Sequence, residues 1–99
     1  MERVAEVDGI EVCAQQVGPA LVLSATNSGK YISHFRAVRA GGALDFESLS
    51  GLYRHEELIV LAREVFRRRP QLAEIYISAG VRDLSLAQAR QIAAAVAPE

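Results

Sequence analysis

Three side chains in this 99-residue chain have the chemistry of a nucleophile and its base: Cys13, His34 and His55. Such a pair works only when thiol and imidazole lie within hydrogen-bond reach and a third group orients the base. Nothing in their spacing enforces that. By its surroundings Cys13 reads as a small buried hydrophobe. His34 reads as a strand residue at a sheet face, and His55 as an exposed residue in the first turn of a helix. His55, Glu56 and Glu57 are metal-ligating types, but neighbours one or two apart do not share a helix face. Ile59 stands where a His-Glu-x-x-His motif requires its second histidine. No metal and no cofactor is expected.

Residues 24–31 offer a phosphate-loop test, since Gly29-Lys30 follows an apolar run. The test fails in three places. Ser24 replaces the first glycine, Tyr31 replaces the magnesium-binding hydroxyl, and a strand-like segment follows instead of a helix. Without that helix the aligned N–H groups that hold phosphate are missing. Asn27, Ser28 and Gly29 instead suit a hairpin turn.

The elements that must position these residues follow from turn chemistry and periodicity. Asp8-Gly9 predicts a two-residue hairpin pairing Val7 with Ile10 and Ala5 with Val12. The same register sets Glu6 opposite Glu11, a like-charge contact that predicts fraying or a bulge over residues 3–7. Gly18-Pro19 marks the next turn, and residues 20–26 read as a central strand. Residues 30–39 alternate, with Tyr31, Ser33, Phe35 and Ala37 on one face and Ile32, His34, Arg36 and Val38 on the other. The pattern does not decide which face is buried. Gly41-Gly42 ends that strand, and a helical period then runs through Leu58, Leu61, Ala62 and Val65. The predicted helix covers residues 54–68, with a start as early as Ser48 weakened by Ser50-Gly51. Glu56 and Glu57 at its start and Arg67, Arg68 and Arg69 at its end complement the helix dipole, and Pro70 stops it. Residues 73–78 read as a buried strand ending at Gly80. Ser85 and Gln88 form a capping box for a final helix from Leu86 to about Ala97.

The expected fold is therefore α+β: a three- to four-stranded antiparallel meander followed by helix, strand and helix, with both helices on one sheet face. Residues 1–99 form one small domain. Hydrophobic residues at 51% and charged residues at 23% are ordinary globular values and argue against disorder. One cysteine excludes an internal disulfide and suits a reducing compartment. No secretory leader or membrane-length apolar run is present, so the expected location is the cytoplasm.

The net charge of −1 predicts no polyanionic partner for the chain as a whole. The distribution is less even. Lys30, Arg36 and Arg39 form one basic block, and Arg63, Arg67, Arg68 and Arg69 form a second. If the blocks converge they could track phosphates, with Tyr31 or Phe35 stacking on bases; otherwise they are solvated surface and a helix end. The leading functional expectation is a protein-interaction or regulatory module, not an enzyme, that self-associates through a sheet covered on one side only. Tyr31 and Phe35 are its candidate partner-binding aromatics. The alternative is a nucleic-acid-binding regulator using Arg36, Arg39, Arg63, Arg67, Arg68 and Arg69. A small ligand-binding or enzymatic domain is the third reading.

Overall fold

Tight turns with positive φ organise the first half of the chain. Asp8 (φ 51°) and Gly9 (φ 80°) form the turn between β1 (Glu2–Val7) and β2 (Ile10–Val17). Two successive left-handed residues match the twist of the flanking strands. The register is the expected one, Val7 with Ile10, Ala5 with Val12 and Glu6 with Glu11. The register shifts between Arg3 and Ala5, within the segment where facing glutamates predict a bulge. Gly18 (φ 59°) followed by Pro19 turns β2 into β3 (Ala20–Thr26).

The computed structural model describes residues 1–27, 32–50 and 56–98, the side chains of 48–50 excepted. The turn and phosphate-loop readings at Ser28 to Tyr31, the helix start at residue 54 and the readings of His55 therefore lie outside the described residues. After β3 come β4 (Ser33–Ala40), β5 (Ala43–Ser50), α1 (Glu56–Arg68), β6 (Glu74–Gly80) and α2 (Leu86–Val96).

The α+β class stands, but the sheet is larger than expected and mixed. Among the described residues six strands lie in the order β1-β2-β3-β6-β4-β5. Two differences from the meander account for this. First, residues 43–50 are a strand, where the sequence reading passed directly from Gly41-Gly42 to a helix. Gly41 (φ 56°) and Gly42 (φ 84°) make a two-residue hairpin turn, and Leu44 and Phe46 alternate with Asp45 and Glu47 behind it. Second, β3 and β4 are not neighbours. β6 enters between them, parallel to β3 and antiparallel to β4. The main chain fixes its ends: Ala73 N–H donates to Pro19 O at 2.9 Å, and Asn27 N–H donates to Gly80 O at 3.1 Å.

Alternate residues of the sheet face the helices. Ile10 and Val12, Leu21, Leu23 and Ala25, Ile75, Ile77 and Ala79, and Phe35 and Ala37 are all buried there. From the helix layer come Leu58, Leu61, Ala62, Val65 and Phe66 of α1 and Ala89, Ile92, Ala93 and Val96 of α2. Both helices thus cover the same face. α2 lies over β1 and β2, whereas α1 reaches β4 and β5 through Phe66 and Arg63. The Ser85–Gln88 capping box is formed, with the Ser85 hydroxyl accepting from Gln88 N–H at 3.0 Å and Gln88 Oε1 accepting from Ser85 N–H at 3.0 Å. No helix among the described residues is long and apolar enough to cross a membrane.

Candidate functional site

Among the described residues no helix lies on the second face of the sheet, and its side chains can be placed from the strand registers. One cross-strand row runs Val17, Ala20, Glu74, Val38 and Asp45. The next runs Gln15, Val22, Tyr76, Arg36 and Glu47, and a third runs Cys13, Ser24, Ser78 and His34. Side chains in one row stand about 5 Å from their neighbours, and successive rows on the same face about 7 Å apart. The centre of this face is half-buried by its own neighbours: Ala20, Val22, Ser24, Val38, Tyr76 and Ser78 are all intermediate in exposure.

The surface divides by chemistry. Val17, Ala20, Val22, Val38 and Tyr76 make one end apolar around the ion pair of Arg36 with Glu74 at 2.7 Å. Arg36 also approaches Glu47 at 3.8 Å, and its guanidinium lies 5.7 Å from the centre of the Tyr76 ring. The hydrogen bond from Arg36 holds the Glu74 carboxyl below its ordinary pKa, and the same bond raises Arg36. Both groups are charged at neutral pH. The other end is small and polar, with Cys13, Ser24, Ser78 and His34 in line. His34 Nδ1 lies 3.1 Å from Ser78 Oγ.

That contact pairs an imidazole with a hydroxyl, but the arrangement lacks the rest of a catalytic site. His34 is exposed, and among the described residues no carboxylate lies within hydrogen-bond reach of its ring. Cys13 is separated from His34 by two intervening strands, about 14 Å at ordinary strand spacing. It is half-exposed on the open face, not the buried hydrophobe its sequence context suggests. A shallow notch of about 270 Å³ exists at the Gly18-Pro19 turn, lined also by Gln16, Arg69, Gln71 and Leu72. It sits at the opposite end of β3 from this row. Among the described residues no group of three or more His, Cys, Asp or Glu converges as a metal site.

The basic blocks converge only in part. Arg36 is on the open face, whereas Arg39 turns to the helix side. There its Nε donates to Leu72 O and its NH2 group to Phe66 O, both at 3.1 Å, and its guanidinium stacks 4.7 Å from the Phe66 ring centre. Arg39 therefore caps the Phe66 carbonyl in the last turn of α1 and ties it to the Leu72 carbonyl of the following loop. Arg63 covers the Phe46 ring at 5.4 Å. Arg67 donates to Glu64 at 3.0 Å, and that bond lowers the Glu64 pKa. Arg68 approaches Glu64 and the Ala97 carbonyl. Arg69 lines the notch. Lys30 and Tyr31 lie outside the described residues.

Phe35, expected as an exposed partner-binding aromatic, is 6% exposed and stacks on Phe46 inside the core. Of its strand, His34, Arg36 and Val38 occupy the open face. The sequence reading did not single out Val22, Glu74, Tyr76 or Ser78. The signal for the last three was the alternation Glu74-Ile75-Tyr76-Ile77-Ser78, which marks one covered and one uncovered face. The chain matches no protein-family model, and no curated protein sequence is significantly similar to it.

Proposed function

We propose that the protein is an interaction module that forms a two-fold dimer through the open face of its sheet. The observation that carries this reading is the asymmetry of the sheet: both helices cover one face, and the other presents Val17, Ala20, Val22, Val38 and Tyr76 without a covering element among the described residues. Six strands at ordinary spacing span a face of about 650 Å², the scale that one partner contributes to a stable interface, ~800 Å². A two-fold interface must be complementary to itself. This face has both signs of charge, with Arg36 beside Glu74 and Glu47 around an apolar centre. The basic residues support the nucleic-acid reading less well, because Arg36 and Arg39 point to opposite faces and Arg39 is bonded to main-chain carbonyls.

Sedimentation velocity over a concentration series tests the proposal, with Val22→Glu as the variant. Val22 sits between Gln15 and Tyr76 and enters no ion pair, so a glutamate there stays solvated in the monomer. In a dimer it becomes a buried charge, twice. The expected result is concentration-dependent dimerisation of the wild type and at least tenfold weaker dimerisation of Val22→Glu, equivalent to about 1.4 kcal/mol. A wild-type chain that sediments as a monomer at every concentration would reject the proposal.

A further inference from the structure

The two edges of the sheet are treated differently. At one edge β1 carries Glu2, Arg3 and Glu6, has a register shift, and lies beneath α2, whose Gln88 side chain donates to Asp8 at 3.3 Å. Charges, bulges and covering elements are the usual ways a protein blunts an edge strand. At the other edge β5 runs without a register shift over residues 43–47, its charges Asp45 and Glu47 are both acidic, and among the described residues no further strand pairs with it.

Its pairing pattern says which main-chain groups are free. The two-residue Gly41-Gly42 turn makes Ala40 and Ala43 a hydrogen-bonded pair, and such pairs alternate along an antiparallel ladder. Asp45 and Glu47 therefore bond inward to β4, and the N–H and C=O groups of Leu44 and Phe46 point outward. Their side chains complete a distinct surface. Asp45 and Glu47 are exposed on the open face, while Leu44 and Phe46 are half-buried on the helix side. Arg63 lies over Phe46 on that side.

We propose that this edge accepts an extended peptide in which basic and apolar residues alternate, added as a seventh strand beside β5. The charges select the occupant. A second β5 in two-fold antiparallel register would set acidic residues against each other, because Asp45 and Glu47 lie on the same face. A strand with Lys or Arg opposite Asp45 and Glu47 turns that contact into attraction. Arg63 disfavours a further cation beside Phe46, so the alternate positions are apolar. This site borders the dimer surface at Asp45 and Glu47, but its main-chain groups at Leu44 and Phe46 lie on the edge, away from the centre of that surface at Val22 and Tyr76.

The test uses a fluorescein-labelled eight-residue peptide of alternating Lys and Val, its Glu and Val counterpart, and fluorescence anisotropy with the full chain. The Lys peptide is expected to bind at least tenfold more tightly than the Glu peptide. Asp45→Lys combined with Glu47→Lys is expected to reverse that preference, and Val22→Glu to leave it intact. Leu44→Pro removes one outward N–H without removing a bond to β4, so it is expected to abolish binding while the far-ultraviolet circular dichroism is retained. Should that variant unfold, amide shifts on adding the Lys peptide to the wild type replace it, with the largest changes expected at Leu44 and Phe46. Any of four results overturns the proposal: no binding, equal binding of the two peptides, unmoved β5 amides, or loss of binding in Val22→Glu.

Discussion

Ile77→Ala is expected to lower the unfolding free energy by about 4 kcal/mol, within the ~2–5 kcal/mol seen when a large aliphatic side chain is removed from a packed interior. Ile77 is 1% exposed and belongs to β6, which pairs with β3 on one side and β4 on the other. Its row on the covered face runs through Leu23, 0% exposed, and Phe35, so the cavity is bounded by ladders on both sides and collapses poorly. For a domain of this size the loss corresponds to a fall in Tm of roughly 15–25 °C. Val22→Ala, one residue from Leu23 but on the open face, is expected to cost less than about 1 kcal/mol in the monomer. Urea unfolding of both variants measures the contrast. Similar losses at the two positions would mean that the covered and open faces have been assigned wrongly.

Arg39→Ala carries the second largest expected effect, about 2–3 kcal/mol. The guanidinium donates to two main-chain oxygens, Phe66 O and Leu72 O, and rests on the Phe66 ring. Hydrogen bonds from a charged donor contribute ~1.5–3 kcal/mol each when shielded; partial exposure of Arg39 reduces their sum. The side chain joins β4 to the end of α1 and to the segment leading into β6. Its loss therefore releases a helix terminus and the entry to the central strand together. Arg39→Lys keeps the charge but loses the planar fork, and is expected to recover less than half of the deficit. Chemical denaturation distinguishes the three proteins. An Arg39→Ala variant within about 0.5 kcal/mol of wild type would refute the capping role.

Local signals in the chain were readable where chemistry and geometry agree over a few residues. Asp8-Gly9 specified a turn and, through it, the β1–β2 register. Ser85 and Gln88 specified the start of α2, and the apolar period specified α1. The β5 strand had an equally local signal, the Gly41-Gly42 turn followed by Leu44-Asp45-Phe46-Glu47, but the helical period immediately after it drew the reading toward an early helix. The position of β6 had no local signal. A strand that leaves a helix can join any edge or gap the sheet offers, and its choice depends on pairing with residues far away in sequence. Arg39 shows the same limit at a single side chain. Its charge suggested a phosphate contact, while its function in the fold is set by carbonyls that arrive from α1 and the following loop. The open face was anticipated as a consequence of one-sided helix packing. Its particular residues were not, because they come from strands whose order the sequence does not state.

The most direct test of the proposed dimer uses the single native thiol. Cys13 lies on the open face, half-exposed, in the same row as Ser24 and Ser78. Its rate of reaction with an aromatic disulfide reagent in excess should be measured at protein concentrations spanning the association range. The account predicts that the rate constant falls as concentration rises and that Val22→Glu keeps the fast rate throughout. A rate constant independent of concentration in the wild type, while sedimentation shows dimers, would place the contact elsewhere and contradict the open face as the dimer surface.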